Sequence, residues 1–363
     1  MRAWRFYNFN DLRLDDIPDP ACRPGHVIVE PLCVQPSVTE AQLAFGVRTL
    51  AYEKIKRRLE TEAPVQLFGH EFSARIVEIG AGVKGYSLGD RVAARAKLPC
   101  GDCPLCHSER SHLCRRGPII GFQLPGCFSE RAILPEIALV KLDERISDSE
   151  GACLQSLSDS VASVETAAMA LGDSVVVFGQ GSMGLECMQI ARLSGAGQII
   201  TVDVRDEACR VSKELGADHA LNAMSCDPIA AIRDLTGGNG ADVVFECAGG
   251  SPHQGLAGSK TVMQAVEAVR SGGKIVGVSW FGQPLEIDID LLRERSLRYL
   301  FPDISTRGHL AHTVHLVASG RVRLKPMITH VLEGLEKVPE AFAITAHKGK
   351  YKAINPAQVV IHR

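Results

Sequence analysis

The chain has 363 residues, 45% of them hydrophobic and 23% charged, with a formal net charge of -2. That length exceeds one ordinary core and predicts two domains, and the balance excludes a disordered chain. A charge so near zero offers no global basic field for nucleic acid or an anionic membrane, and no stretch approaches the roughly 20 apolar residues that cross a bilayer.

The first residues, MRAWRFYNFNDLRLDD, carry scattered acids and no apolar h-region. A secretory signal is therefore not expected, and a cytoplasmic location is. Residues 26–34 (HVIVEPLCV), 72–79 and 91–96 predict short strands separated by Gly, Pro and Asp turns, which makes the first third all-β or mixed. The run Lys54, Lys56, Arg57, Arg58 reads as a solvated helix face. From about residue 174 strands alternate with helical stretches: SVVVF, SMGLECMQIARLSG, IITVD, DEACRVSKELGA, a helix near 227–236, ADVVFE, a helix near 260–271 and GKIVGV. Such alternation predicts βαβ units and a parallel sheet. A helix, mixed segments and a strand-like QVVIH come after about residue 298.

Gly179, Gly181 and Gly184 form G-Q-G-S-M-G directly after SVVVF and open a helix. The first glycine makes a tight turn, the second admits a pyrophosphate close to the backbone, and the third lets helix pack on strand. Gly181, Ser182 and Met183 then place free N–H groups at the positive end of a helix dipole, where phosphates bind. Asp203 ends the next strand about 20 residues on, where a carboxylate accepts both ribose hydroxyls of NAD and repels the 2′-phosphate of NADP. The competing use of Asp203 is to cap the following helix. Arg205, two residues on, leaves some tolerance of NADP open.

Four of the 12 cysteines cluster as C-x2-C-x2-C-x7-C: Cys100, Cys103, Cys106 and Cys114. Four thiolates so spaced can wrap a tetrahedral zinc with no open position, which makes the metal structural. A disulfide is disfavoured in a reducing compartment, and an iron–sulfur cluster is the alternative. His107 and His112 share the loop as bystanders to a closed shell of sulfur.

Together these residues resemble the zinc-containing medium-chain dehydrogenase/reductase family, which includes alcohol, polyol and threonine dehydrogenases. The likeness covers nearly the whole chain: Gly69-His70-Glu71, the Gly80…Gly85…Gly89-Asp90-Arg91-Val92 stretch, the four-cysteine lobe, G-C-F-S-E at 126–130, the glycine loop with Asp203, ADVVFECAG and GGKIVGV. It implies an α/β chain with a GroES-like β-rich catalytic domain at 1–150, its zinc lobe at about 97–117, a Rossmann domain of doubly wound parallel sheet at 151–297, and a segment at 298–363 completing the catalytic domain. It also implies a homodimer or homotetramer acting on a small molecule.

The family's catalytic zinc is held by a Cys, the His of the GHE motif and a third Cys, Asp or Glu. Here the corresponding C-G-S/T-D segment falls on Ser37-Val38-Thr39-Glu40, with Gly46 in its expected place, and the later ligand position falls on Gln155. A shifted register would make Cys33 the ligand instead. A hydroxyl and an amide replace two anionic donors, leaving His70 and Glu71, so a catalytic zinc is expected to be weak or absent. Asp159, four residues past Gln155, and Glu40 are the substitute carboxylates. Thr39 keeps the family's proton-relay position, or is a satisfied strand-end hydroxyl. His70 is a general acid/base, oriented by Glu71, or a buried histidine without a role. Ser37 and Gln155 can hydrogen-bond a substrate carbonyl or hydroxyl. Val278, followed by Ser279, Trp280 and Phe281, ends the strand whose family counterpart borders the nicotinamide. Phe45, Arg48 and Tyr52 lie in a longer stretch before GHE that caps the substrate pocket or sets specificity.

The leading reading is an NAD-dependent alcohol, polyol or sugar dehydrogenase with a reworked metal site. The alternatives are a zinc-free reductase of an activated C=C or C=O on the same fold, and a protein that binds NAD(H) without turnover.

Overall fold

A computed structural model describes residues 1–108, 110–250, 258–282 and 284–362. The chain divides into two compact units: residues 1–158, 304–320 and 328–363 form the first, and residues 159–303 and 321–327 the second.

In the first unit, strands β1 (Arg2–Asn8) and β2 (Asp11–Asp16) make an antiparallel hairpin. β3 (His26–Gln35), β4 (Glu71–Ile79), β5 (Arg91–Ala94), β6 (Ala132–Pro135) and β7 (Leu139–Lys141) build a second sheet. Val27, Val29 and Val34 on β3, Phe72, Ala74 and Ile76 on β4, and Phe68 and Phe128 from the loops share one buried cluster. Short helices interrupt this β-rich region at Val38–Ala44 and Tyr52–Glu62. The second carries the expected basic face, laced by Lys56–Glu60 and Arg58–Glu62 pairs one turn apart.

The second unit is a six-stranded parallel sheet: β8 (Ser174–Phe178), β9 (Gln198–Asp203), β10 (His219–Asn222), β11 (Ala241–Glu246), β12 (Val269–Gly277) and β13 (Arg298–Leu300). Their spatial order is β10-β9-β8-β11-β12-β13. Val175, Val176 and Val177 of β8 are all fully buried, as a strand covered on both faces requires. The order reverses between β8 and β11, and ligands of open α/β sheets bind outside the carboxyl ends of strands at such a switch point.

The chain then returns to the first unit. β14 (Val331–Glu333) runs parallel to β15 (Gln358–Val360), and β15 pairs antiparallel with β3 through Val359↔Val34 and Val360↔Cys33. No helix among the described residues is long and apolar enough to cross a membrane.

Candidate active site and zinc lobe

His70 enters β4 from a strained turn. Phe68 adopts φ 67°, uncommon for a bulky residue, and its N–H donates to Gly121 O at 2.6 Å. Gly69 follows at φ +83°, where a Cβ would stand 2.9 Å from the Phe128 ring and 3.0 Å from Cys127 N, so only glycine fits. The turn presents the Gly69 N–H and the His70 ring to one acceptor, Glu40.

Glu40 is fully buried. Its Oε1 accepts the Gly69 N–H at 3.0 Å and lies 2.5 Å from His70 Nδ1, while Oε2 accepts the Ser37 N–H at 3.0 Å. With the carboxylate accepting, Nδ1 is the donor of this contact and Nε2 is the ring nitrogen on the far side. Nε2 lies 3.9 Å from Glu71 Oε1, and Glu71 Oε2 accepts from Gln35 Nε2 at 2.5 Å. Glu40, not Glu71, therefore makes the short contact that orients the imidazole. The ring packs against Phe122, with centroids 5.9 Å apart.

Ser37 caps the helix Val38–Ala44. Its Oγ accepts the Glu40 N–H at 3.2 Å, and the Glu40 carboxylate answers to the Ser37 N–H. This reciprocal capping box commits the hydroxyl to the backbone. Thr39 sits half-buried in the first turn of that helix, not at a strand end. Cys33 is buried one strand repeat from Gln35. Its thiol donates to Gln358 Oε1 at 3.5 Å, and burial pushes its pKa up to about 12, opposite to what a metal ligand needs. Gln358 Nε2 also donates to Gln35 Oε1 at 2.9 Å, which ties Cys33 and Glu71 into one buried polar network. Gln155 is buried at the start of the helix Leu154–Ala167, and Asp159 is one turn further along it. Tyr52 stacks on Phe9 at 5.0 Å, Arg48 lies over the Tyr52 ring at 5.5 Å, and Phe45 lies 6.1 Å from the His347 ring.

At His70 the donor pair on one side of the ring is Nε2 with Glu71 Oε1, 3.9 Å apart, fewer than the three protein ligands a catalytic zinc usually takes. Among the described residues, only Cys100, Cys103, Cys106 and Cys114 form a group of three or more His, Cys, Asp or Glu side chains with ligand atoms all within 4.8 Å. Glu40 and Glu71 approach opposite nitrogens of His70 and so cannot share one ion with it.

The four cysteines do fit. Three of their six Sγ–Sγ separations are 3.5, 3.7 and 3.9 Å, and a tetrahedron with zinc–sulfur bonds of about 2.3 Å has edges of about 3.8 Å. The Cys100 N–H donates to Cys114 Sγ at 3.4 Å; with the Arg116 N–H it holds that thiol down to about 6 against desolvation. His107 Nε2 lies 3.1 Å from Gly101 O, turned away from the sulfurs to the backbone.

In the second unit, Gly181 caps the helix Ser182–Leu193 with no side-chain bond to its first turn. Gln180 Oε1 and Ser182 Oγ are buried beside it without a partner among the described residues. The uncapped N–H groups and the Ser182 hydroxyl are donors that fit a dinucleotide's phosphates, whereas Gln180 Oε1, an acceptor, does not. Gly184 is packed so closely that a Cβ would lie 1.8 Å from Gly179 O. Met183 follows Ser182 in the first turn, where Ser160 Oγ donates to its sulfur at 3.5 Å. Asp203 Oδ2 accepts the Gln180 N–H at 2.6 Å, and Oδ1 accepts the N–H of Arg205 at 2.9 Å and its Nε at 3.3 Å. Asp203 thus clamps the glycine loop and Arg205 folds onto it; the cap of the next helix is Arg205. Val278 and Ser279 donate their N–H groups to Glu246 O at 3.0 and 3.1 Å. Gln35, Phe122 and Glu246 carry no signal in the sequence that would single them out.

A two-part dehydrogenase, with a β-rich site unit and a dinucleotide-binding sheet, is the class of protein these features define. Residues 41–144 match the alcohol dehydrogenase GroES-like domain and residues 182–308 the zinc-binding dehydrogenase domain. The chain is 30% identical over 344 residues to an NAD-dependent alcohol dehydrogenase of Sulfurisphaera tokodaii, covering 94% of this chain and 95% of that one. It is 29% identical over 337 residues to L-threonine 3-dehydrogenase of Pyrococcus horikoshii, covering 91% and 90%. Among solved structures, a zinc-binding dehydrogenase of Sinorhizobium meliloti bound to NADP superposes with a TM-score of 0.84 at 26% identity, covering 99% and 98%. The chain belongs to the zinc-containing medium-chain dehydrogenase/reductase family and is an oxidoreductase of that type.

Proposed function

We propose that this protein transfers hydride between NAD and the hydroxyl or carbonyl carbon of a small alcohol, polyol or sugar-like substrate, with His70 and Glu40 in place of a catalytic zinc. The observation that carries this reading is the Glu40–His70 contact at 2.5 Å, with Glu40 buried and held by two backbone N–H groups.

Bound NAD supplies the hydride acceptor; Gly179, Gly181, Ser182, Met183, Gly184 and Asp203 would hold it, with Val278 bordering the nicotinamide. His70 Nε2 takes the substrate hydroxyl proton as hydride leaves the carbinol carbon, and returns it in the carbonyl-reducing direction. Glu40, behind Nδ1, stabilises the imidazolium that forms. Glu71, held by Gln35, accepts a second substrate hydroxyl, and Thr39 stands in the relay position one residue before Glu40. A zinc held by Cys100, Cys103, Cys106 and Cys114 would be structural, because four sulfurs close its shell.

Zinc counting by elemental mass spectrometry on EDTA-washed protein, paired with NAD-linked turnover on an alcohol and polyol panel, tests the proposal. One zinc per chain with turnover retained is expected. Two zincs, or activity lost in step with a second zinc, would refute the metal-free site. Tight NADH binding with no turnover on any panel member would instead favour a protein that binds without catalysing.

A further inference from the structure

Glu246 ends β11, fully buried, and has no cationic partner among the described residues. A buried carboxylate without a counter-charge is costly unless hydrogen bonds satisfy it. Here they do. Oε1 accepts the N–H of Ala248 at 3.1 Å, the N–H of Gly249 at 2.9 Å and the Thr261 hydroxyl at 2.7 Å, and Oε2 accepts the Ser279 hydroxyl. One side chain thus joins the loop after β11, the loop after β12 and the helix Lys260–Ala268.

Those loops also meet the glycine loop. The Cys247 N–H donates to Phe178 O at 2.8 Å, and a Cβ on Gly179 would come within 2.6 Å of the Ala248 Cα. Gly249 is seated so closely on Ser279 that a Cβ would lie 2.2 Å from the serine Cβ, and the Gly250 N–H donates to Trp280 O at 3.0 Å. The switch point falls between β8 and β11. On the β8 side, Asp203 and the glycine loop serve the adenosine half of a dinucleotide. On the β11 side, the second mononucleotide has only the loops that Glu246 ties together.

We propose that Glu246 is a positioning residue for the nicotinamide half of the cofactor cleft: it holds the loops after β11 and β12 at the separation that half requires, without touching the cofactor. This rests on the NAD reading above, and it predicts an asymmetry that a merely structural role would not produce. Glu246→Ala should weaken NADH binding about tenfold or more, the loss of one or two bonds to a charged acceptor. It should leave ADP, which fills only the adenosine and diphosphate sites, within about twofold.

Titration calorimetry with NADH and ADP measures both affinities on each full-length variant. Glu246→Gln should recover most NADH affinity, because its carbonyl keeps the three Oε1 donors and its amide can donate to Ser279. Ser279→Ala removes one link, should give a smaller loss confined to NADH, and carries the test if Glu246→Ala does not fold. Equal losses for NADH and ADP, or no loss for either in both Glu246→Ala and Ser279→Ala, would overturn the proposal. If Glu246→Gln binds both ligands more tightly than wild type, charge repulsion of the phosphates governs and the positioning role fails. Wild type that binds neither ligand would overturn the NAD reading itself.

Discussion

Replacing Glu40 by glutamine separates the charge of the His70 partner from its shape. With its carbonyl in the Oε1 place, the substituted side chain keeps the donors Gly69 N–H and His70 Nδ1–H. Its amide then stands where Oε2 accepted the Ser37 N–H at 3.0 Å, so donor meets donor and half of the capping box is lost. One charge-assisted bond removed and two weakened at a fully buried site come to about 2 kcal/mol. For a unit of this size that lowers the melting temperature by about 4 to 8 °C. The catalytic effect should be larger. An amide cannot stabilise the imidazolium, so kcat/KM should fall about 100-fold, the lower part of the range for positioned acid–base groups. The assay is NAD-linked turnover on the best substrate of the panel, followed by the absorbance of reduced nicotinamide, for Glu40→Gln, His70→Gln and the double variant. Residues acting as one unit are non-additive, so the double variant should be no slower than His70→Gln alone. A Glu40→Gln enzyme within about threefold of wild type, or a double variant whose losses multiply, would refute the dyad.

Gly184→Ala drives a methyl toward Gly179 O and should displace the start of the helix Ser182–Leu193. NADH affinity should drop at least about tenfold while the cysteine lobe keeps its zinc, read by calorimetry and zinc analysis on one sample. Asp242 accepts from Ser174 N at 2.8 Å, Ser174 Oγ at 2.6 Å and Arg270 Nε at 2.6 Å. Desolvation pushes its pKa up, but these partners outweigh it and hold the carboxyl below its ordinary 3.8. A depressed carboxylate stabilises the fold above its unfolded value and loses that contribution as pH falls through the folded one. Asp242→Asn should therefore melt earlier than wild type near neutral pH, and scanning calorimetry should show the gap closing as pH falls below about 4. A gap that widens in acid would contradict the assignment.

The parallel sheet was legible because SVVVF, IITVD and ADVVFE carry short, β-branched, near-continuous apolar stretches flanked by helical ones, as strands buried on both faces do. The cysteine lobe was legible because its ligands lie within 15 residues of one another. The environment of His70 was harder to read, since it is assembled from β3, a short helix and a turn far apart in sequence. Yet Ser37-Val38-Thr39-Glu40 has the spacing of a capping box, a local signal that Ser37 would turn to the backbone rather than to a metal. In the sequence Glu40 offers its charge as a substitute ligand, but not the direction in which its carboxylate points. Gln35 and Glu246 gave no sign, because each is defined by partners brought to it by other strands.

The pairing of β15 with β3 imposes an order on assembly. Residues 159–303 form almost all of a self-contained unit and can fold while the ribosome is still adding the C-terminal segment. β3, made far earlier, must wait beside an open edge until Gln358–Val360 emerges. Only then do Gln35 and Cys33 meet Gln358, and only then is the hydrogen-bond network behind Glu71 complete. The parallel sheet can mature ahead of the β-rich unit, so a nascent chain stalled before residue 358 would carry a finished parallel sheet while β3 still lacked its last strand partner.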